Sequence, residues 1–204
     1  TAYEGAQKAC DKYGCELAYT ENLEAADISA AFADYASAGY DVVIGHGYEF
    51  GDPALEVAET YPATKFICTE SDASSDNVAS YVMACEQTAY VEGIIAASTS
   101  ESGKLGAIGP IPGDSLVKII NGYEDGAKSV NLDIEVQTAW TNSFVDTQLA
   151  QEAAKAMIEN GVDVIKHCAN ACGNGAIAAA VDADIWCQGD SYDQSSLAPE
   201  NILD

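Results

Sequence analysis

Polar and aromatic side chains follow five short apolar runs of the sequence, at the points where strands of a parallel sheet would end. The segments at these points read GHGYEFGD, CTESD, TNSFVD, KHCANACGNG and CQGDSYDQ. In open α/β sheets, ligands bind outside the carboxyl ends of the strands. The sequence therefore predicts a binding site built from these five segments.

The residue types in these segments suit a neutral, polyhydroxylated ligand that carries a flat ring. Aromatic faces can stack on a base, and carboxylates can accept paired hydrogen bonds from ribose hydroxyls. The candidate ligand-binding residues are Tyr48, Phe50, Glu70, Asn142, Phe144, Asp146, Asp190 and Asp193.

Four of these residues have a structural alternative. Asp146 precedes Thr147-Gln148-Leu149 and could cap a helix, and Asp193 could be a surface turn residue. Tyr48 and Phe50 could be ordinary core contacts. His46, at the end of an apolar run, is expected to tune packing or to donate one hydrogen bond rather than to do acid–base chemistry.

The usual enzymatic motifs are missing from the sequence. GHGYEFG has GxGxxxG spacing, a weak match to a dinucleotide fingerprint, and neither GxxxxGK[ST] nor GxSxG occurs. His167, Cys168 and Cys172 are the closest approach to a metal cluster, but a second ligand pair is missing. We therefore predict no catalytic residue, no metal and no cofactor.

Composition excludes further classes of function. Eight lysines and arginines stand against 33 aspartates and glutamates, and the formal net charge of -25 would repel nucleic acid. No run approaches the roughly 20 apolar residues of a membrane span. The seven cysteines form no CxxC pair, which favours buried thiols, with one or two disulfides as the alternative.

Apolar runs alternate with segments of helical period, which predicts an α/β protein with parallel sheets. Strands are predicted at 16–19, 41–45, 65–69, 104–109, 135–140, 162–167 and 184–188, with a further candidate at 77–83, and helices at 3–13, 28–38, 53–60, 90–99, 148–160 and 175–181. The phrases ADYASAGYDVVIG and AKAMIENGVDVIKH repeat one βα pattern, which suggests two related lobes. We place the lobes at 1–103 and 104–190, with 191–204 as a hinge segment returning to the N-terminal lobe.

Segments along the whole chain resemble the basic membrane protein family, the PnrA-like purine nucleoside receptors that feed ABC importers. The resembling segments include AYEG, GYDVVIGHGYEFGD, YPATKFICTESDASSDNVAS, YVEGIIAA, KLGAIGPIP, INGYEDGAKSVNLDIEV, NSFVD and GDSYDQSSLAPENIL. The resemblance implies a type I periplasmic-binding-protein fold with a ligand cleft between two lobes. It also implies that Tyr48 and Phe144 sandwich the base, while Glu70, Asp146, the loop 189–193 and the backbone near Gly173 line the cleft.

The family implies a function without chemistry. A member of this family binds a nucleoside outside the cytoplasm, in the periplasm or lipid-anchored to the cell membrane, and delivers it to a membrane permease. We expect a monomer that closes about a hinge. The alternatives are a ligand-sensing regulatory domain of the same fold and a nucleoside hydrolase.

Overall fold

The computed structural model describes residues 2–21 and 23–203 and confirms the predicted α/β fold with parallel sheets. The helices are α1 (Ala2–Tyr13), α2 (Ile28–Ser37), α3 (Gly51–Thr60), α4 (Cys85–Thr99), α5 (Asp114–Val130), α6 (Thr147–Glu159) and α7 (Asn174–Asp182). The strands are β1 (Val42–His46), β2 (Lys65–Thr69), β3 (Val78–Tyr81), β4 (Lys104–Gly109), β5 (Glu135–Trp140), β6 (Val164–His167) and β7 (Trp186–Gln188).

The first compact unit ends at Met83 and contains a three-stranded parallel sheet in the order β1-β2-β3. Its core joins alternate residues of β1 and β2, such as Val43 and Phe66, to Phe32 of α2 and to apolar residues of α3. The alternation follows from the period of two in a strand, which sends successive side chains to opposite faces.

The prediction of a strand at residues 16–19 is wrong. These residues form no regular ladder, although Leu17, Ala18 and Tyr19 make a short apolar run of the kind that predicts a strand. Instead the ring of Tyr19 lies 4.6 Å from the ring of Tyr3 on α1. A strand needs a neighbouring strand to satisfy its backbone groups. In the described part of the chain, this segment lies beside helix α1 instead.

The second compact unit runs from Ala84 and contains a four-stranded parallel sheet in the order β5-β4-β6-β7. Strand β4 pairs with β5 on one side and with β6 on the other. The order of the strands reverses there, so the carboxyl end of β4 is the topological switch point where a ligand crevice is expected in such sheets. From Leu105 onward every residue of β4 is buried.

Helix α5 was not predicted, and its glycines explain why. Gly122 and Gly126 each disfavour a helix by about 1 kcal/mol relative to alanine. In the structure they allow α4 and α5 to touch: a Cβ on Gly126 would lie 1.9 Å from the carbonyl oxygen of Tyr90, and one on Gly93 would lie 2.0 Å from that of Tyr123. Close packing between the two helices therefore outweighs the local propensity.

The boundary between the units lies at Met83 rather than at residue 103. Helix α4 belongs to the second unit because it packs along α5. The polar segment that follows α4 is also held there: Asp163 accepts hydrogen bonds from the hydroxyl of Ser100 at 2.6 Å and from the N–H groups of Glu101 and Ser102 at 2.8 and 2.7 Å. Desolvation raises the pKa of Asp163, but these hydrogen bonds outweigh it and lower the pKa below its ordinary value.

Within residues 2–21 and 23–203, no helix combines the length and the apolar character that crossing a membrane requires.

Candidate ligand-binding site

Left-handed backbone marks the ends of several strands. Glu70, Asn142, Asn170 and Ser191 follow β2, β5, β6 and β7, and their φ angles lie between 52° and 65°. They are four of the five non-glycine residues with positive φ in the described part of the chain. Such residues are uncommon and cluster at functional sites, because surrounding contacts must offset the strain.

A cavity of about 520 Å³ opens beside the loop after β7. Its size falls within the range of about 300 to 1,000 Å³ that is typical of small-molecule sites. It is lined by Glu92, Gly189, Asp190, Ser191, Tyr192, Asp193 and Ser195. Three carboxylates and two hydroxyl-bearing serines face a single space, so the cavity favours a ligand that is rich in hydrogen-bond donors.

The buried side chain of Gln194 fixes the shape of the loop after β7. Its Oε1 accepts a hydrogen bond from the N–H of Asp190 at 2.8 Å and lies 3.1 Å from Nε2 of His167. Its Nε2 donates to Oδ1 of Asn174 at 3.0 Å. One amide therefore ties the loop to β6 and to the start of α7, which holds Asp190 in place before a ligand arrives.

His167 is a buried neutral residue beneath the site. Nε2–H donates to Gln194, while Nδ1 lies 3.4 Å from the N–H of Ala169 and accepts from it. Burial lowers the pKa of His167, and Lys166 adds to this effect, against opposing contributions from Asp190 and the Gln194 hydrogen bond. The ring fills the space beside Gly173, where a Cβ would lie 1.9 Å from Nδ1. Gly173 is thus required for the loop after β6 to cover the imidazole.

An ion pair with a buried lysine holds Glu92, which also lines the cavity. Nζ of Lys166, on the interior strand β6, contacts Oε2 of Glu92 on α4. The Lys166 side chain is 5% exposed and that of Glu92 is 25% exposed. Gln188, at the end of β7, donates to the backbone carbonyl of Glu92 at 3.0 Å. These contacts anchor Glu92, whose side chain remains partly exposed, in the lining of the cavity.

The loop after β5 lies against the loop after β6. The N–H of Cys172 donates to the carbonyl of Phe144 at 3.0 Å, and the Cys172 thiol donates to the carbonyl of Asp146 at 2.9 Å. The ring of Phe144 remains 43% exposed. This arrangement brings Asn142, Phe144, Asp146 and Gly173 into neighbouring loops at the carboxyl edge of the second sheet.

In the first unit, Tyr48 and Glu70 follow the adjacent strands β1 and β2. Tyr48 is 63% exposed, and Oε1 of Glu70 accepts a hydrogen bond from the N–H of Met83 at 3.4 Å. His46 and Thr69 join the ends of the two strands through a hydrogen bond of 2.9 Å. A hydrogen bond is one of the two roles expected of His46.

The structural alternatives hold for three of the four residues that had one. Asp146 does cap α6, since Oδ1 accepts from the N–H of Gln148 at 3.0 Å, and Asp193 accepts from the N–H of Ser195 at 2.9 Å. Phe50 packs against Phe32 in the first core, with ring centroids 5.8 Å apart. Tyr48 is not a core residue. Asp146 in its cap and Asp193 in its turn are both exposed, so both roles are compatible with ligand contact.

The whole chain matches one family model. The model, described as ABC transporter substrate-binding protein PnrA-like, covers residues 1–204. The chain belongs to this family. The resemblance drawn from the sequence motifs is thereby confirmed.

Relatives of this PnrA-like chain are named for different ligands. A purine-binding protein of Brucella abortus is 34% identical over 92% of the chain and 53% of its own length. A putative ABC transporter glucose-binding protein of Haloferax volcanii is 30% identical over 99% of the chain and 52% of its own length. The chain thus spans about half the length of these relatives.

A solved structure supports the type I fold. The solute-binding protein of an ABC transporter system from Aeropyrum pernix superposes with a TM-score of 0.89 at 26% identity, covering 99% of this chain and 60% of that one. The prediction of a type I binding-protein fold is confirmed.

Sequence reasoning missed Glu92 in this PnrA-like chain. Glu92 lies in the apolar segment YVEGIIAA. This segment predicts a buried helix and gives no indication that Glu92 lines a binding site. A signal was present in VDVIKH, because a lysine inside a buried strand requires a carboxylate partner. Within the described residues, no cluster of three or more His, Cys, Asp or Glu side chains has the arrangement of a metal site.

Proposed function

We propose that this protein is the extracytoplasmic substrate-binding component of an ABC importer, and that it binds an unphosphorylated nucleoside, most simply a purine nucleoside, without changing it. A membrane permease receives the ligand. Family membership supports the transport role, and the name of the Brucella relative supports a purine ligand.

The acidic cavity after β7 carries the proposal. Asp190 and Glu92 line its walls, and the N–H of Asp190 is fixed by Gln194. Carboxylates held in place accept hydrogen bonds from vicinal hydroxyls without a further cost of ordering. We assign these two carboxylates to the ribose, and the exposed ring of Phe144 in the same unit to the base.

The same charges select against nucleotides. Glu92 is neutralised by Lys166, which leaves Asp190 and Asp193 uncompensated at the cavity. At a separation of about 8 Å in water, two unit charges repel by about 0.5 kcal/mol, so a doubly charged phosphate facing both carboxylates loses about 2 kcal/mol. This corresponds to about 30-fold weaker binding than that of the parent nucleoside.

Calorimetric titration of the full chain with adenosine, guanosine, inosine, glucose and adenosine monophosphate tests the proposal. We expect a nucleoside to bind, the monophosphate to bind about 30-fold more weakly, and the bound nucleoside to be recovered intact by chromatography. Free base that accumulates in proportion to protein would contradict binding without chemistry. Tighter binding of the monophosphate would refute the charge argument.

A sugar is the second candidate ligand, because a relative of similar identity is named for glucose. The acidic cavity would also accept the hydroxyls of a hexose. The two ligands differ in what they require of Phe144, since stacking on a base is worth about 1 to 3 kcal/mol per ring. Phe144→Ala should weaken nucleoside binding by about 5- to 150-fold, and a sugar held only by the carboxylates should be little affected.

A further inference from the structure

Two cysteines lie on either side of the turn that ends helix α1. Gly14, with φ of 73°, reverses the chain after Tyr13. The N–H of Gly14 donates to the carbonyl of Cys10 at 2.8 Å, and the N–H of Cys15 donates to the same carbonyl at 3.3 Å. The second bond, which closes a six-residue turn, is typical of the Schellman motif, in which the first and last side chains of the turn meet. Here both of these side chains are thiols.

The two thiols are in contact and can be reached from solvent. The hydrogen bond with the Cys15 side chain is the main cause that raises the pKa of Cys10, followed by desolvation. Cys15 is exposed and Cys10 is half-buried. A disulfide requires Cα atoms about 4.4 to 6.8 Å apart, and a direct hydrogen bond between the two backbones holds the residues at such a range.

The segment after Gly14 also contacts α1 at a second point, nearer the start of the helix. Tyr3, Gln7 and Cys10 share one face of α1, because they are spaced four and three residues apart. Cys15 meets this face at Cys10, and the ring of Tyr19 meets it at Tyr3. No residue of α1 is buried, so these contacts are exposed and a covalent link between them would fasten the segment to the helix.

We propose that Cys10 and Cys15 are an oxidation site, at which an intramolecular disulfide fastens residues 15–19 to α1. The thiolate of one cysteine attacks a disulfide oxidant, forms a mixed disulfide and releases one thiol of the oxidant. The second cysteine then attacks the protein sulfur of the mixed disulfide and releases the other thiol. Two protons leave the protein, and its two electrons reduce the oxidant to two thiols. From the proposed function the site takes only the extracytoplasmic location, where such oxidants operate.

Four of the other five cysteines are poorly suited to this reaction. Cys68, Cys168, Cys172 and Cys187 are buried. Desolvation raises the pKa of Cys68 to about 11 and that of Cys168 to about 12, and the thiolate is the reactive form. We therefore expect Cys10 and Cys15 to be oxidised in preference to these four buried thiols.

Peptide mapping tests the proposal directly, because all eight basic residues of the chain are lysines. The protein is incubated with glutathione disulfide, alkylated without reduction and cut with a lysine-specific protease. Cleavage after Lys8, Lys12 and Lys65 places Cys10 in peptide 9–12 and Cys15 in peptide 13–65, with no other cysteine in either. A disulfide joins the two peptides into a single mass that separates on reduction.

We expect the joined peptides to account for most of the material from the monomer band of a non-reducing gel. Cys15→Ser should abolish the joined mass, while Cys85→Ser, the matched control, should leave it unchanged. Separate alkylated peptides, attachment of Cys10 to any other peptide, or a joined mass confined to a covalent dimer would each overturn the proposal. The readout is independent of nucleoside binding, so failure of the proposed function would show only in the titration.

Discussion

Replacement of Glu92 by glutamine should destabilise the second unit strongly. The variant leaves the Lys166 ammonium, with a 5% exposed side chain on an interior strand, without its carboxylate. Breaking a buried pair by removing one partner costs about 3 to 5 kcal/mol. Because the Glu92 side chain is 25% exposed and water can reach the site, we expect the lower end, about 3 kcal/mol. For a unit of this size, that lowers the melting temperature by roughly 10 to 15 °C.

Denaturant unfolding followed by tryptophan fluorescence measures this cost in the second unit, since both tryptophans, Trp140 and Trp186, lie there. The matched control is Glu124→Gln. Its partner is Lys128 on the surface of α5, with side chains 37% and 43% exposed, and an exposed pair contributes less than about 1 kcal/mol. The double variant Glu92→Gln/Lys166→Met should recover most of the loss, because a well-packed apolar pair often replaces a buried ion pair at little cost. Equal effects of Glu92→Gln and Glu124→Gln, or strictly additive losses in the double variant, would refute the reasoning.

Two further predictions concern His167 and the contact between α4 and α5. The pKa of His167 is lowered in the folded state, so the unfolded chain binds more protons below about pH 6.5. The stability contributed by the neutral imidazole is therefore complete above that pH and is lost as the pH falls below it. His167→Gln should flatten the dependence of unfolding free energy on pH between 6.5 and 5, and an unchanged slope would contradict the assignment. Gly126→Ala places a methyl group against the Tyr90 carbonyl and should cost about 2 kcal/mol, whereas Gly5→Ala on α1, which meets no atom within 4 Å, should be neutral or stabilising by up to about 1 kcal/mol. Thermal melts of the two variants compare the costs, and equal melting temperatures would show that α4 and α5 do not pack as described.

The local sequence pattern correctly predicts the strands that pair with another strand. Strands β2, β4 and β5 have the predicted bounds, because each is a short segment between turn residues and each has a neighbouring strand. Residues 16–19 also include a short apolar run, Leu17 to Tyr19, but no strand lies beside them in the described chain. Helix α5 shows the converse, since Gly122 and Gly126 argue against a helix until α4 is placed beside it.

The candidate site is also predicted only in part. The rule for strand ends predicts the loops that carry Phe144, Asp190 and Asp193, because it depends only on the positions of the strands. It cannot predict Glu92, which reaches the cavity from a helix and depends on a buried lysine 74 positions later in the chain. Nor does it predict that Phe50 turns into the core, because residue type alone does not give side-chain direction.

A structure of the full-length protein with a bound purine nucleoside tests the central claim most directly. We predict the ribose hydroxyls within hydrogen-bond distance of the carboxylates of Asp190 and Glu92, and the base against the ring of Phe144. A nucleoside bound elsewhere, or one whose hydroxyls contact neither carboxylate, would contradict the account.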